Sequence, residues 1–144
     1  MKVSEAMTKD VRVANPEQTL RQAARMMADL DAGVLPVGEN DRLIGLITDR
    51  DIAIRGVAQG KGPKAKVRDI MTADVKYCFD DQDIEEVTRN MADIQVRRLP
   101  VINHDKRLVG ILSLGDIAVS SDGKSTSEAL SGISRQGGQH TQTG

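Results

Sequence analysis

The sequence carries one cysteine, Cys78, in 144 residues. That excludes an intrachain disulfide framework and any zinc site built on cysteine pairs, and it fits a reducing cytoplasm. Aromatic side chains are almost missing, with Tyr77 and Phe79 alone and no tryptophan, so nucleic-acid recognition by stacking bases on an aromatic platform is not expected. Neither sign of charge dominates: 20 Lys and Arg stand against 21 Asp and Glu, which leaves no global field to steer the chain toward nucleic acid or anionic lipid. No apolar run approaches the roughly 20 residues that span a bilayer, and "MKVSEAMTKD" lacks the apolar stretch of a secretory signal. A cytoplasmic protein without membrane contact is expected. What the chain does have is an ordinary balance of 39% apolar and 28% charged residues, enough for a folded core of Leu, Ile, Val, Ala and Met.

Catalytic signatures are equally sparse. His104 sits in a loop and His140 in the C-terminal tail, with no carboxylate or cysteine at ligand spacing, so a histidine metal site is not expected. The serines lack a nucleophile-elbow pattern and no phosphate-cradling G-x-x-x-x-G-K-[ST] loop occurs. Cys78 follows Tyr77 beside an apolar patch and reads as buried filler. The expectation is a protein that is not an enzyme and carries no catalytic cofactor or metal.

The chain contains itself. A shift of 64 positions lays Met7-Thr8 on Met71-Thr72, Met27-Ala28-Asp29 on Met91-Ala92-Asp93, and Leu35-Pro36-Val37 on Leu99-Pro100-Val101. One inserted residue then moves the match to 65, where Arg42-Leu43, Gly45 and Asp51-Ile52-Ala53 meet Arg107-Leu108, Gly110 and Asp116-Ile117-Ala118. A unit of about 55 residues is marginal as an independent fold because it buries too little of its surface. The two copies, 3–58 and 67–120, are therefore expected to pack as one module about a pseudo-two-fold axis. Between them "RGVAQGKGPKAK" (55–66) is basic and Gly-rich and supplies a linker at 59–66, whose lysines Lys61, Lys64 and Lys66 read as solvated. Beyond Ser120 the composition turns to Ser, Gly, Thr and Gln without a period that could bury a face, and 121–144 is expected to be a disordered tail.

Within each copy the periodicities predict the elements. Val11 to Ala14 is a short extended run, after which Asn15, Pro16 and Gln18 have the form of a cap, a first helical residue and a box-closing partner. Leu20, Ala23, Ala24, Met27 and Leu30 then follow at helical spacing, matched by Ile84, Val87, Met91 and Ile94 in the second copy. Aspartates 80, 81 and 83 crowd the start of that second helix, where its dipole is positive. "VLPV" and "LIGLIT" flank "GENDR", and "RLPVI" and "LVGIL" flank "NHDKR", which predicts a hairpin with a five-residue loop in each copy. Pro36 and Pro100 cannot donate to a ladder and predict an edge or a bulge. A last helix covers Asp49 to Ala58 and Gly115 to Ser120. The order per copy is β-α-β-β-α, an α/β (α+β) class.

Two nearly identical phrases, "GLITDRDI" and "GILSLGDI", stand out. Thr48-x-x-Asp51 and Ser113-x-x-Asp116 each lie between a strand and a helix, the place of a capping box in which hydroxyl and carboxylate satisfy free N–H groups. A helix start also attracts anions, and Arg50 adds a cation that capping does not require. Both readings stand on these residues.

The doubled pattern, with "MT" ahead of each first strand, "LPV" in the second and G-x-x-[ST]-x-x-D before the last helix, resembles the cystathionine-β-synthase-type (CBS) domain pair over residues 3–120, and in particular small bacterial proteins made of one such pair. The resemblance implies a Bateman module: two repeats with a cleft on each side, often binding AMP, ADP or ATP. It implies that Asp51 and Asp116 accept from ribose hydroxyls and that Thr48 with Arg50, and Ser113 with Gly115, face phosphate. It also implies that Leu46, Ile111, Ala32, Gly33, Val96 and Arg97 border the adenine. A carboxylate suits a cis-diol because it only accepts, so both oxygens can take a hydroxyl proton. Arg50 can fork two phosphate oxygens, whereas Gly115 offers no side chain, and Arg97 or Arg98 is a candidate cation for the second cleft. Consecutive strand residues point to opposite faces, so at most one of that arginine pair faces it. On these grounds the Asp51 cleft is expected to be the better site. The resemblance further implies a homodimer formed through the helices and signalling to an unknown protein partner. A ligand-independent dimerisation or stress protein, with both phrases acting only as caps, is the alternative.

Overall fold

The computed structural model describes residues 1–120 and 130–133. Its elements are α1 (Val3–Ala6), α2 (Leu20–Leu30), β1 (Val34–Glu39), β2 (Arg42–Thr48), α3 (Asp49–Asp51, continuing without a break into a π-turn at Ile52–Gly56 and a 3-10 turn at Val57–Gln59), α4 (Val67–Ile70), β3 (Cys78–Phe79), α5 (Ile84–Ile94), β4 (Arg98–Ile102), β5 (Leu108–Ser113) and α6 (Leu114–Ser120). The second copy follows β-α-β-β-α. In the first, the opening strand shrinks to an isolated parallel bridge from Ala14 to Val37. Ala14 is the repeat-mate of Cys78, which pairs with Val101 in the same parallel sense.

Contacts divide the described residues into two units, one of Arg12–Val75 and one of Met1–Val11 with those from Lys76 onward. In the first, β1 and β2 pair antiparallel, from Val34 opposite Thr48 to Glu39 opposite Arg42, with a register shift between Val37 and Gly38. The amphipathic helix α2 covers this hairpin, its Leu20, Ala23 and Met27 packing with Ala14, Leu35, Val37, Ile47, Val67 and Ile70. Residues 63–66 of the expected linker bond to this unit, and 67–72, expected in the second copy, belong to it too. Leu20 N–H donates to Ala65 O at 2.8 Å, Arg21 N–H to Pro63 O at 3.0 Å, and Val67 N–H to Gln18 O at 2.8 Å. Lys66 is ion-paired with Glu17 at 2.7 Å, and Arg68 bridges Glu17 and Glu39 at 3.0 and 2.8 Å; hydrogen bonds from Lys66 and then Arg68 hold the Glu17 carboxyl below its ordinary value.

The other unit has the sheet order β3-β4-β5, and its register shift falls between Val101 and Ile102, at the place equivalent to the first. Pro100 avoids a lost ladder bond because β3 pairs only with Val101 and Ile102. The core joins Val3 of the N-terminal segment to Cys78, Ile84, Val87, Met91, Val96, Leu99, Val101, Leu112 and Ile117.

Several local expectations shift. The box at Asn15 forms, with Asn15 N–H on Gln18 Oε1 at 2.8 Å, but it closes a turn. Helix α2 starts at Leu20 under a second box, Thr19 with Gln22. The first hairpin needs only two loop residues, Asn40 and Asp41, both at positive φ (55° and 63°), because Asn and Asp tolerate the left-handed region a tight hairpin demands. The second hairpin keeps its five. The disordered-tail expectation meets an exception at residues 130–133, which form a helical turn. Ile133 is buried, Gln95 Nε2 donates to Gly132 O at 2.8 Å, and a Cβ at Gly132 would come within 2.8 Å of the Ala92 Cβ. Glycine permits that approach. The rest of the tail, His140 included, lies outside the described residues. Among those described, no helix is long and apolar enough to cross a membrane.

Candidate functional site

Each repeated phrase sits where the last strand of a hairpin runs into a helix. Strand β2 ends at Thr48, whose extended φ/ψ of −114°/161° turns its hydroxyl back over the first helical residues. Asp51 N–H donates to Thr48 Oγ1 at 2.9 Å, and Thr48 N–H donates to Asp51 Oδ2 at 3.0 Å. The second copy repeats both bonds, Asp116 N–H to Ser113 Oγ at 3.1 Å and Ser113 N–H to Asp116 Oδ2 at 3.0 Å. The capping boxes therefore exist. They also orient each carboxylate, committing Oδ2 to the backbone and turning Oδ1 the other way.

What meets Oδ1 differs between the copies. At Asp51 it is Arg55, one turn on: Nη2 donates to Oδ1 at 2.7 Å and to the Thr72 hydroxyl at 2.6 Å. Asp51 is 15% exposed and Arg55 42%. The π-turn that carries Arg55 places Gly56 against Leu20, where a Cβ would stand 3.1 Å from the Leu20 Cδ1; such turns recur at functional sites. At Asp116 the only donor to Oδ1 among the described residues is the Thr8 hydroxyl, at 3.5 Å. Ser120, the repeat-mate of Arg55, donates to the Asp116 carbonyl at 2.6 Å and leaves the carboxylate alone.

Thr72 and Thr8 come from the repeated Met-Thr dipeptides, and each crosses the last strand of the hairpin in its own unit. Leu46 and Thr72 exchange both N–H···O bonds at 2.9 and 2.8 Å, and Ile111 and Thr8 do so at 3.0 and 2.9 Å. The crossing requires the adjacent glycines: a Cβ at Gly45 would lie 2.8 Å from Thr72 O, and one at Gly110 2.7 Å from Thr8 O. Sequence reasoning missed Arg55, Thr72 and Thr8 as site residues. The four-residue spacing of Asp51 and Arg55 on a helix and the repeat of "MT" are the signals that point to them.

The other candidates divide by their surroundings. Gly33 O accepts from Asp49 N–H at 2.9 Å, and Arg97 O accepts from Leu114 N–H at 3.1 Å, so both stand beside the helix start, with Ala32 next to Gly33. A Cβ on Gly33 would meet the Asp49 carboxylate at 2.9 Å, and Asp49 Oδ1 accepts the Arg50 N–H at 2.8 Å. Leu46 is 3% exposed and Val96 fully buried. The side chain of Val96 is spent in the core, which leaves its backbone as the only part that can meet a ligand. Ile111, by contrast, is half-buried. The side chains of Arg50, Arg97 and Arg98 make no hydrogen bond or ion pair among the described residues. Gly115 is exposed.

Away from these phrases, burial and then the Asp80 charge push the Cys78 thiol up to about 12, as its place in the core demands. His104 does find a carboxylate across the chain: Nε2 lies 2.6 Å from Asp81 Oδ2, and its ring stacks on Phe79 with centroids 4.8 Å apart. Among the described residues no group of three potential metal ligands comes together.

The fold and these junctions define a duplicated α+β module with one hydroxyl-to-aspartate box per copy. The CBS domain model matches residues 3–56 and 67–122, and the chain belongs to that family as a tandem pair, a regulatory module. It is 38% identical over 135 residues to the CBS domain-containing protein YhcV of Bacillus subtilis, covering 93% of this chain and 96% of that one. It is 41% identical over 114 residues to hypoxic response protein 1 of Mycobacterium tuberculosis, covering 78% and 79%. The crystal structure of hypoxic response protein I with two coordinated zinc ions superposes with a TM-score of 0.77 at 37% identity, over 85% of this chain and 100% of that chain. The CBS domain pair of protein MJ0100, crystallised with 5′-methylthioadenosine and S-adenosyl-L-methionine, superposes at 0.73 with 26% identity, over 83% and 94%.

Proposed function

We propose that this chain is a non-catalytic sensor that binds an adenine nucleotide, AMP, ADP or ATP, at its hydroxyl-to-aspartate phrases and passes the signal to a protein partner, acting as a homodimer. The observation that carries the reading is the orientation of two carboxylates by their own backbone, each with one oxygen committed and the other turned away from the box. A cis-diol donates to such an oxygen, and hydrogen bonds to charged groups contribute about 1.5 to 3 kcal/mol. The adenosyl ligands of the MJ0100 pair carry the ribose that this arrangement suits. Asp51 and Asp116 would take the ribose. Thr48, Arg50, Ser113 and one of Arg97 and Arg98 would take phosphate, and Leu46, Ile111 and the backbones of Ala32, Gly33 and Val96 would border the base.

Thermal unfolding with each nucleotide tests this. Ligand at 100 times its dissociation constant stabilises the native state by about 2.7 kcal/mol, a rise of several degrees for a chain of this size, and the rise disappears in the Asp51→Ala/Asp116→Ala double variant. The completed capping boxes favour a second reading, a ligand-independent interaction protein. That one predicts no shift with any nucleotide and a loss of about 1 kcal/mol per aspartate removed, as for other caps.

A further inference from the structure

We infer that the two phrases are unequal sites: Arg55 latches Asp51 shut, and the Asp116 phrase is the one open to a nucleotide. This rests on the nucleotide reading above and ranks its two sites in the reverse of the order that Arg50 suggests from sequence.

Both oxygens of Asp51 are engaged, Oδ2 by a backbone N–H and Oδ1 by the guanidinium at 2.7 Å, and the same nitrogen is tied to Thr72. A ribose approaching Oδ1 must displace or share a charge-assisted bond, which is stronger than a neutral one. At Asp116 the corresponding oxygen has a single hydroxyl contact at the long limit of hydrogen bonding, 3.5 Å, and the residue in the place of Arg55 is a serine turned to the backbone. The sequence points the same way: beside the first phrase stands a second carboxylate, Asp49, which Leu114 replaces beside the second, so a phosphate meets one anionic side chain fewer there. Moreover, Asp49 already accepts the N–H of Arg50, a group that an anion at the first phrase would otherwise use.

The latch has a functional consequence. Filling the first site requires Arg55 to yield or share its bond to Asp51, so whatever recruits that guanidinium elsewhere opens the site.

Calorimetric titration of AMP into the whole chain tests the ranking. One site per chain is expected, lost in Asp116→Asn. Arg55→Gln is expected to add a second site or, where that site is already detectable but weak, to tighten it roughly three- to tenfold, the range for freeing one partly exposed ion-paired carboxylate. The retained first binding event in Arg55→Gln certifies its fold, and circular dichroism does so for Asp116→Asn. Wild-type affinity in Asp116→Asn, two equal sites in the unaltered chain, or weaker binding in Arg55→Gln each overturns the latch. Absence of heat with AMP, ADP and ATP in every variant overturns the nucleotide reading itself, and the ranking with it.

Discussion

Replacing Gly110 with alanine tests how tightly the N-terminal Met-Thr segment is laid across β5. The added methyl would stand 2.7 Å from both the Met7 Sδ and the Thr8 carbonyl oxygen. The thioether can swing away, but the carbonyl belongs to backbone held by two bonds to Ile111, at 2.9 and 3.0 Å. Forcing the segment outward gives up most of that pair, at about 1 kcal/mol net per bond, and adds overpacking strain of about 1 to 3 kcal/mol. The gain from a better strand residue recovers less than about 1 kcal/mol. The expected net destabilisation is therefore about 3 kcal/mol, read as a lowered midpoint in urea followed by far-ultraviolet circular dichroism. Gly62→Ala is the control: a methyl added there would meet nothing within 4 Å, so its stability should stay within about 0.5 kcal/mol of the parent. A Gly110→Ala chain as stable as Gly62→Ala would refute the reasoning, because the close crossing would then be soft enough to yield without loss.

Two further outcomes follow from the titrating groups. Cys78, with its thiol pushed up to about 12 by burial, should resist alkylation by iodoacetamide at pH 8 in the folded chain and react promptly in urea; equal rates in both would show that the site opens freely. The hydrogen bond from His104 holds the Asp81 carboxyl below its ordinary value of 3.8. A depressed folded value means that what the Asp81 carboxylate adds to stability is lost as pH falls from about 4 through the lowered titration. NMR titration should find the Asp81 midpoint raised in His104→Ala, and an unchanged midpoint would remove His104 as the cause.

Local pattern made much of the architecture legible. The faces of α2 and α5, the paired hairpins, the prolines beside a register shift and the capping boxes at Thr48 and Ser113 all depend on neighbours within a few residues, which a sequence displays directly. What escaped were the long-range pairings. Nothing in "MT" says which strand it will cross, and the short helices α1 and α4 that precede these dipeptides are too brief to show a period. Arg55 escaped for a different reason. It heads the basic stretch "RGVAQGKGPKAK"; its spacing from Asp51 shows one partner in sequence, but only the fold brings up Thr72 as the second. The turn at 130–133 was hidden by composition, since a glycine that docks against Ala92 looks the same in sequence as one in a flexible tail.

The crossing of the Met-Thr segments has a bearing on how the chain matures during synthesis. Thr8 leaves the ribosome well before the strand it lies upon, which is made roughly a hundred residues later. It must wait, unsatisfied, while Arg12–Val75 closes on itself. A segment made early is thus among the last to find its place, and Val3 seals a core whose other members did not yet exist when it was translated.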